Sequence, residues 1–347
     1  MYIKDAYCIS PQKTFGSEGM AEYTSHSSTR YAAIEPNYVE HIPKGLLRRM
    51  GKSVRLGVGA GLNLLAKQPK IDGVLMASSN GAIEDCFKFL SQMISYNEGT
   101  LTPTHFVQST PNAPAGQLAL MSKTIGYNIT HVSSGLAFEG ALLDAMMLLE
   151  EGEATNLLLG ATEELSDCHF VLHEKIAHFK KDDIDALNLF DSNTEGTVYG
   201  EGAAAFIVTS EATADQIKIK DIGSINNPEE GDIGLAVDRL LDKNGLTHND
   251  IDALVLGMSG DNRYDYRYTD FADKNFNNQG IYTFKNLVGE YPTSAAFATW
   301  LGYQVLKNNP VCKEAIYKPT DRNIKRLLIY NHYYDQYHGF ILLEKEG

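Results

Sequence analysis

A chain of 347 residues, 43% hydrophobic and 10% aromatic, can bury a large core and is too apolar for a disordered polymer. Its formal net charge of −14 disfavours nonspecific contact with nucleic acid, and an acidic protein partner would need a local basic patch. No apolar run is long enough to span a membrane, and the polar start Met1-Tyr-Ile-Lys-Asp lacks a secretion signal. Cys8, Cys86, Cys168 and Cys312 are scattered without metal-ligand spacing, so the expectation is reduced thiols and a cytoplasmic protein with no metal.

Taken in chain order, Arg48, Arg49, Lys52 and Arg55 form a candidate basic patch, with a solvated helix face as the simpler reading. The pattern predicts a helix over 54–66, then a buried strand from Ile71. Residues 106–118 read as an approach loop feeding a helix. Residues 127–132 read as a short strand, followed by a tight turn at Ser133, Ser134 and Gly135 and an apolar helix over 136–149. A strand turning sharply into a buried helix aims amide N–H groups and the helix dipole at the turn, a geometry that sharpens a nucleophile and holds an oxyanion. No cysteine lies between Cys86 and Cys168, so this turn offers no thiol.

Further strands are expected at 156–161 and 203–210. Glu163 and Glu164 between them read as loop-solvating groups. His169, His173 and Glu174 have helical spacing but no evident third metal-ligating partner. The second part predicts a helix over 234–244, a strand from Ile251, a tyrosine-rich surface loop or subunit contact at 261–270, a buried helix over 294–306, and strands at 326–331 and 339–344.

These elements repeat. Ile71-Asp-Gly-Val-Leu-Met and Ile251-Asp-Ala-Leu-Val-Leu start 180 positions apart (251 − 71), and helix, strand, buried helix and closing strand follow in the same order around each. The period is far too long for a solenoid and points to a duplication of α/β layers, with halves at 1–210 and 211–347.

The duplication, together with four passages, resembles the thiolase superfamily and within it the β-ketoacyl-acyl-carrier-protein synthases. The passages are 106–118 with Ala115-Gly116-Gln117-Leu118, Gly160-Ala-Thr-Glu-Glu-Leu-Ser, the run from Phe190 to Ala205 with its Gly-Glu-Gly-Ala core, and Lys285-Asn-Leu-Val-Gly-Glu. The resemblance implies a thiolase-like fold in which duplicated βαβαβ halves form a five-layer α-β-α-β-α sandwich.

The family's chemistry needs a cysteine thiolate and two histidines. Anchoring on Ser134-Gly135 puts Val132 at the cysteine position, with Ser133 as the alternative. The first histidine position falls in the 257–261 stretch, at Ser259, and the second on Glu290, while Lys285 is retained. Lys285 and Glu290 are expected to pair, and Ser133 or Ser134 to cap the following helix. His131, Ser134, Phe138 and Phe106 are the candidates for lining an acyl tunnel.

The resemblance thus implies a cysteine-less, chain-length-factor-like subunit with no cofactor of its own. It would meet the phosphopantetheine arm of an acyl carrier protein indirectly, through an active ketosynthase partner or in a homodimer. Its shortness and tyrosine content resemble subunits of aryl polyene or flexirubin-type pigment synthesis. The rival readings are an acyltransferase or hydrolase rebuilt on Ser133 with His131 or Glu290, and a homodimeric acyl-binding protein.

Overall fold

The computed structural model describes residues 1–16, 18–68, 70–212 and 216–346. The first half supplies β1 (Tyr2–Ile9), β2 (Arg30–Tyr31), β3 (Gly73–Ala77), β4 (Tyr127–His131), β5 (Asn156–Glu163), β6 (Tyr199–Gly200) and β7 (Gly202–Thr209). The second supplies β8 (Ile217–Asn226), β9 (Ala253–Leu256), β10 (Gly280–Thr283), β11 (Ile316–Lys318), β12 (Arg326–Tyr333) and β13 (Tyr337–Lys345).

Within the sheet, the first half runs β4-β3-β5-β7-β1 and the second β10-β9-β12-β13-β8, with β11 added at the far edge. In each, the first three strands are parallel and the last two antiparallel to their neighbours. The halves join where β1 meets β8 through Tyr2↔Lys218 and Ile3↔Ile217. The duplication expected from the sequence is therefore present as one strand order used twice.

The layers follow from which faces are apolar. Every residue of β3 and β7 is buried, as parallel or central strands covered on both faces must be. Between the two half-sheets lie the helices Ala137–Glu150 and Ala295–Leu306, and all twelve residues of the latter are buried. Phe138, Leu142, Trp300 and Leu301 from these helices join Leu159 and Phe206 of one sheet and Ile329 and Ile341 of the other in one core. Outside, the helices Lys52–Lys67 and Ala113–Ser122 cover the first sheet, and Asp232–Lys243 and Tyr266–Asn275 the second. The result is an α-β-α-β-α sandwich. No helix among the described residues is long and apolar enough to cross a membrane.

Three local expectations need correction. The tyrosine-rich segment is a helix from Tyr266, and Tyr268 is fully buried under it rather than at a surface. Asp261, Asp265 and Arg267 anchor that segment through hydrogen bonds and ion pairs. The basic patch is dispersed: Arg48 and Arg49 lie outside any helix, Arg55 pairs with Glu35 at 2.6 Å, and Lys52 reaches the buried Glu201 at 2.5 Å. The approach segment contains its own short helix, Pro103–Gln108, ahead of Ala113–Ser122.

Candidate functional site

At the end of β4 the chain leaves the sheet through Val132 and Ser133, and Ser134 adopts φ +52°. The Ser134 N–H donates to the Val132 carbonyl (2.9 Å) and the Leu136 N–H to the Ser133 carbonyl (3.1 Å), closing one 3₁₀ turn before the Ala137–Glu150 helix. A positive φ on a residue with a side chain costs about 1–3 kcal/mol and persists where packing over-determines it. The packing is visible at Gly135, where any β-carbon would collide with the Tyr333 side chain of β12.

The turn over 132–135 carries no thiol. Val132 is half exposed and cannot ionise. Neither Ser133 nor Ser134 caps the helix with its side chain, contrary to the expected role, because the turn satisfies its own amides through backbone carbonyls. His131 is tied to Asp144 of the helix, Nε2 to Oδ2 at 2.9 Å, and the Tyr127 hydroxyl donates to the same carboxylate at 3.0 Å. No hydrogen bond joins the Ser133 hydroxyl to His131 among the described residues, so the pair does not form an activated serine.

Ser259 and Glu290 are committed to partners within the chain. The Ser259 N–H and hydroxyl donate to Asp265 (2.9 and 3.3 Å), whose carboxyl burial pushes upward, and the Thr197 hydroxyl donates to the Ser259 carbonyl at 2.7 Å. Lys285, with no exposed surface, donates to Glu290 Oε2 at 2.5 Å and to the His332 carbonyl at 2.9 Å. Burial raises the Glu290 carboxyl, and Lys285 opposes the shift. A lysine held by a carboxylate and a backbone carbonyl has two of its three donors committed and serves as a strut.

The β12–β13 hairpin brings these positions together. Lys285 bonds the His332 carbonyl, Tyr333 packs against Gly135, and Tyr334 stacks on His178 with ring centroids 3.6 Å apart. The His332 N–H donates to the buried Tyr268 hydroxyl at 2.8 Å, and Tyr330 bonds His338 at 3.0 Å. Phe138 is fully buried in the central layer, its ring 6.0 Å from Phe206. Phe106 lies apart from the turn on the Pro103–Gln108 helix, 57% exposed and packed on Phe89.

Several residues differ from, or escaped, the sequence reading. Glu163 and Glu164 do not solvate a loop. Both are buried and accept backbone N–H groups, Glu163 from Ser79 and Asn80, Glu164 from Ser53 and Glu84. Burial pushes them up to about 8 and about 7 respectively. Glu139 was not singled out, yet it is buried and pushed up to about 7. Its only signal is a carboxylate in the first turn of a largely apolar helix. His169 packs edge-on against His173, which bonds His178, and no group of three or more His, Cys, Asp or Glu among the described residues could hold a metal ion.

The imidazoles carry a pH prediction. Burial holds His169, His178 and His338 at about 4, below their ordinary 6.5. Their folded values lie below their unfolded ones, so the stability they contribute is complete above about 6.5 and is lost as pH falls towards 4. Glu139 and Glu163, raised on folding, act oppositely and favour the fold as pH falls below 8. Thermal melts of His178→Phe, which keeps the stack on Tyr334, should fall less steeply than wild type between pH 6.5 and 4. Identical slopes would remove His178 from this account.

Residues 23–180 match the family described as "Beta-ketoacyl synthase, N-terminal domain". No curated protein matches the chain in sequence. Among solved structures, a β-ketoacyl synthase from Burkholderia phymatum STM815 superposes with TM-score 0.79 at 16% identity, covering 100% of this chain and 99% of that one. A ketosynthase in complex with its chain length factor from Xenorhabdus doucetiae gives 0.78 at 15% identity, covering 99% and 98%. The ishigamide ketosynthase/chain length factor gives 0.72 at 19%, covering 100% and 99%. Residues 23–180 are thus similar to the β-ketoacyl synthase N-terminal domain, and the chain shares the fold of these ketosynthase structures along its whole length.

Proposed function

We propose that this chain is a non-catalytic, chain-length-factor-like subunit that pairs with an active ketosynthase in fatty acid or polyene (polyketide-type) synthesis. One observation carries the reading: the strand-to-helix turn that would hold the acyl-accepting thiolate holds Val132, half exposed and without a base. The positions that would polarise a thioester are committed as well, Ser259 to Asp265 and Glu290 to Lys285.

The surface supports a partner. β4 is an edge strand, paired on one side with β3 only, so it offers a row of free amides and carbonyls. Around it Ile125, Tyr127, Val132, Leu143 and Met147 are exposed, an apolar face that a second subunit would cover. Two of the structural neighbours are ketosynthases with chain length factors, and a third is a type II acyl-carrier protein in complex with its ketosynthase.

In this reading the acyl chain arrives on the phosphopantetheine of an acyl carrier protein, reacts at the partner's thiol and is measured by side chains of this subunit, Phe138 first among them. With Lys52 and Arg55 consumed by Glu201 and Glu35, the carrier docks chiefly on the partner. The 19 tyrosines support the aryl polyene or flexirubin-type branch, in the cytoplasm. Tagged pull-down from the native host, with intact-mass analysis, tests the pairing. A one-to-one complex with a cysteine-bearing synthase is the expected result, and a homodimer alone would overturn it.

A further inference from the structure

Where β1 meets the C-terminal ends of the helices Lys52–Lys67 and Ala295–Leu306, a half-open cavity of about 580 Å³ is lined by Tyr7, Asn63, Tyr303, Gln304 and Asn309. Small-molecule sites span about 300–1,000 Å³, so the volume suits one. The cavity shares no residue with the strand-to-helix turn or with the β12–β13 hairpin.

Its polar groups sit on buried stems. Tyr7 belongs to the outer core around Lys52–Lys67 and Tyr303 to the central core, each 9% exposed, and Gln304 is 3% exposed. Gln304 Oε1 accepts from Asn309 Nδ2 at 2.6 Å, which fixes the amide and leaves its Nε2 as a donor. Neither that Nε2 nor either phenol oxygen has a hydrogen-bond partner among the described residues, and none of the three is sealed from solvent. Side chains buried this deeply have one open side, and it is the cavity. Hydrogen-bonding groups on packed stems lose little rotamer freedom when a ligand arrives, unlike the long charged side chains of an ordinary surface groove.

The walls set the ligand's chemistry. Asp5 and Glu18 supply two negative charges, Lys67 and Lys307 two positive ones, and Asp5 pairs with Lys67 at 3.3 Å. With no net charge on its walls, the cavity favours a neutral ligand. A phenol hydroxyl both donates and accepts, and a side-chain amide offers the two roles on neighbouring atoms. The partner that matches both is a group that also does both at one atom, the hydroxyl. We propose that this cavity binds a neutral polyhydroxylated molecule of sugar type, with the Tyr7 and Tyr303 hydroxyls and the Gln304 amide as its hydrogen-bonding partners. The inference concerns this chain alone and holds whether or not a synthase partner exists.

The test titrates the full-length protein with glucose, glucuronate and glucosamine, followed by ligand-observed NMR. The three share one ring and differ in charge. Glucose should give a saturable signal, and each charged sugar should bind several-fold more weakly. Tyr7→Phe and Tyr303→Phe delete one hydroxyl each and keep the packed ring, so each should weaken glucose by roughly three- to tenfold. Gln304→Leu, which removes the amide, should weaken it to a similar degree. No saturable glucose signal, charged sugars that bind as tightly as glucose, or glucose binding unchanged in both phenylalanine variants would each overturn the assignment. Circular dichroism checks that the variants fold, and the two phenylalanine variants keep the test decisive if Gln304→Leu does not.

Discussion

Lys285→Met should lower the unfolding free energy by about 3–5 kcal/mol, because it strands the buried Glu290 carboxylate without its partner. The Lys285 ammonium has no exposed surface, Glu290 is 3% exposed, and the pair is 2.5 Å apart. Removing one member leaves a desolvated charge or forces protonation of an acid that burial has already pushed upward. Lys285→Met combined with Glu290→Leu should recover most of the loss, since replacing both members of a buried pair with apolar groups is often neutral or stabilising. Urea denaturation of the two singles and the double gives the coupling energy directly. Additive losses would mean that Lys285 acts through the His332 carbonyl rather than through Glu290.

The second large effect is expected at Phe138. Its ring is fully buried in the central layer against Phe206, so Phe138→Ala should cost about 3–5 kcal/mol from lost transfer energy and the cavity left behind. Phe138→Leu retains most of the volume and should cost far less. In a complex with a synthase, both variants should shift the products to longer chains, alanine more than leucine. An intact complex that releases unchanged products would remove Phe138 from chain-length control and leave it a core residue.

How far the sequence alone carried can be judged from particular elements. The apolar run of β3 and its counterpart in β9 announced parallel strands buried on both faces, and the largely apolar character of Ala295–Leu306 announced a central helix. Such readings succeed because burial on one or both sides imposes a period, or abolishes it, within a dozen residues. The strand-to-helix turn was legible for the same reason: a strand, a Ser-Ser-Gly turn and an apolar helix are all local, and the absence of cysteine from it is read directly off the residues.

Local chemistry misled where the decisive neighbours were remote. Ser133 and Ser134 have the residue type of helix caps, yet backbone carbonyls in the turn satisfy its amides. Glu163 and Glu164 look like loop-solvating acids until β5 carries them beneath Ser79, Asn80, Ser53 and Glu84. The 266–275 segment is polar enough to read as surface, but Tyr268 is held under it by the His332 N–H.

By itself, then, the sequence determined the alternation of elements, their duplication and the absence of cysteine from the strand-to-helix turn, because each is written in residue types at short spacing. Only the tertiary structure decided which side chains meet around that turn. It set Tyr333 against Gly135, Lys285 on the His332 carbonyl and the Glu139 carboxyl against Gly339. Those contacts join residues about 50 to 200 positions apart through the packing of two sheets on a shared central layer, and no periodicity along the chain encodes which side chains meet there.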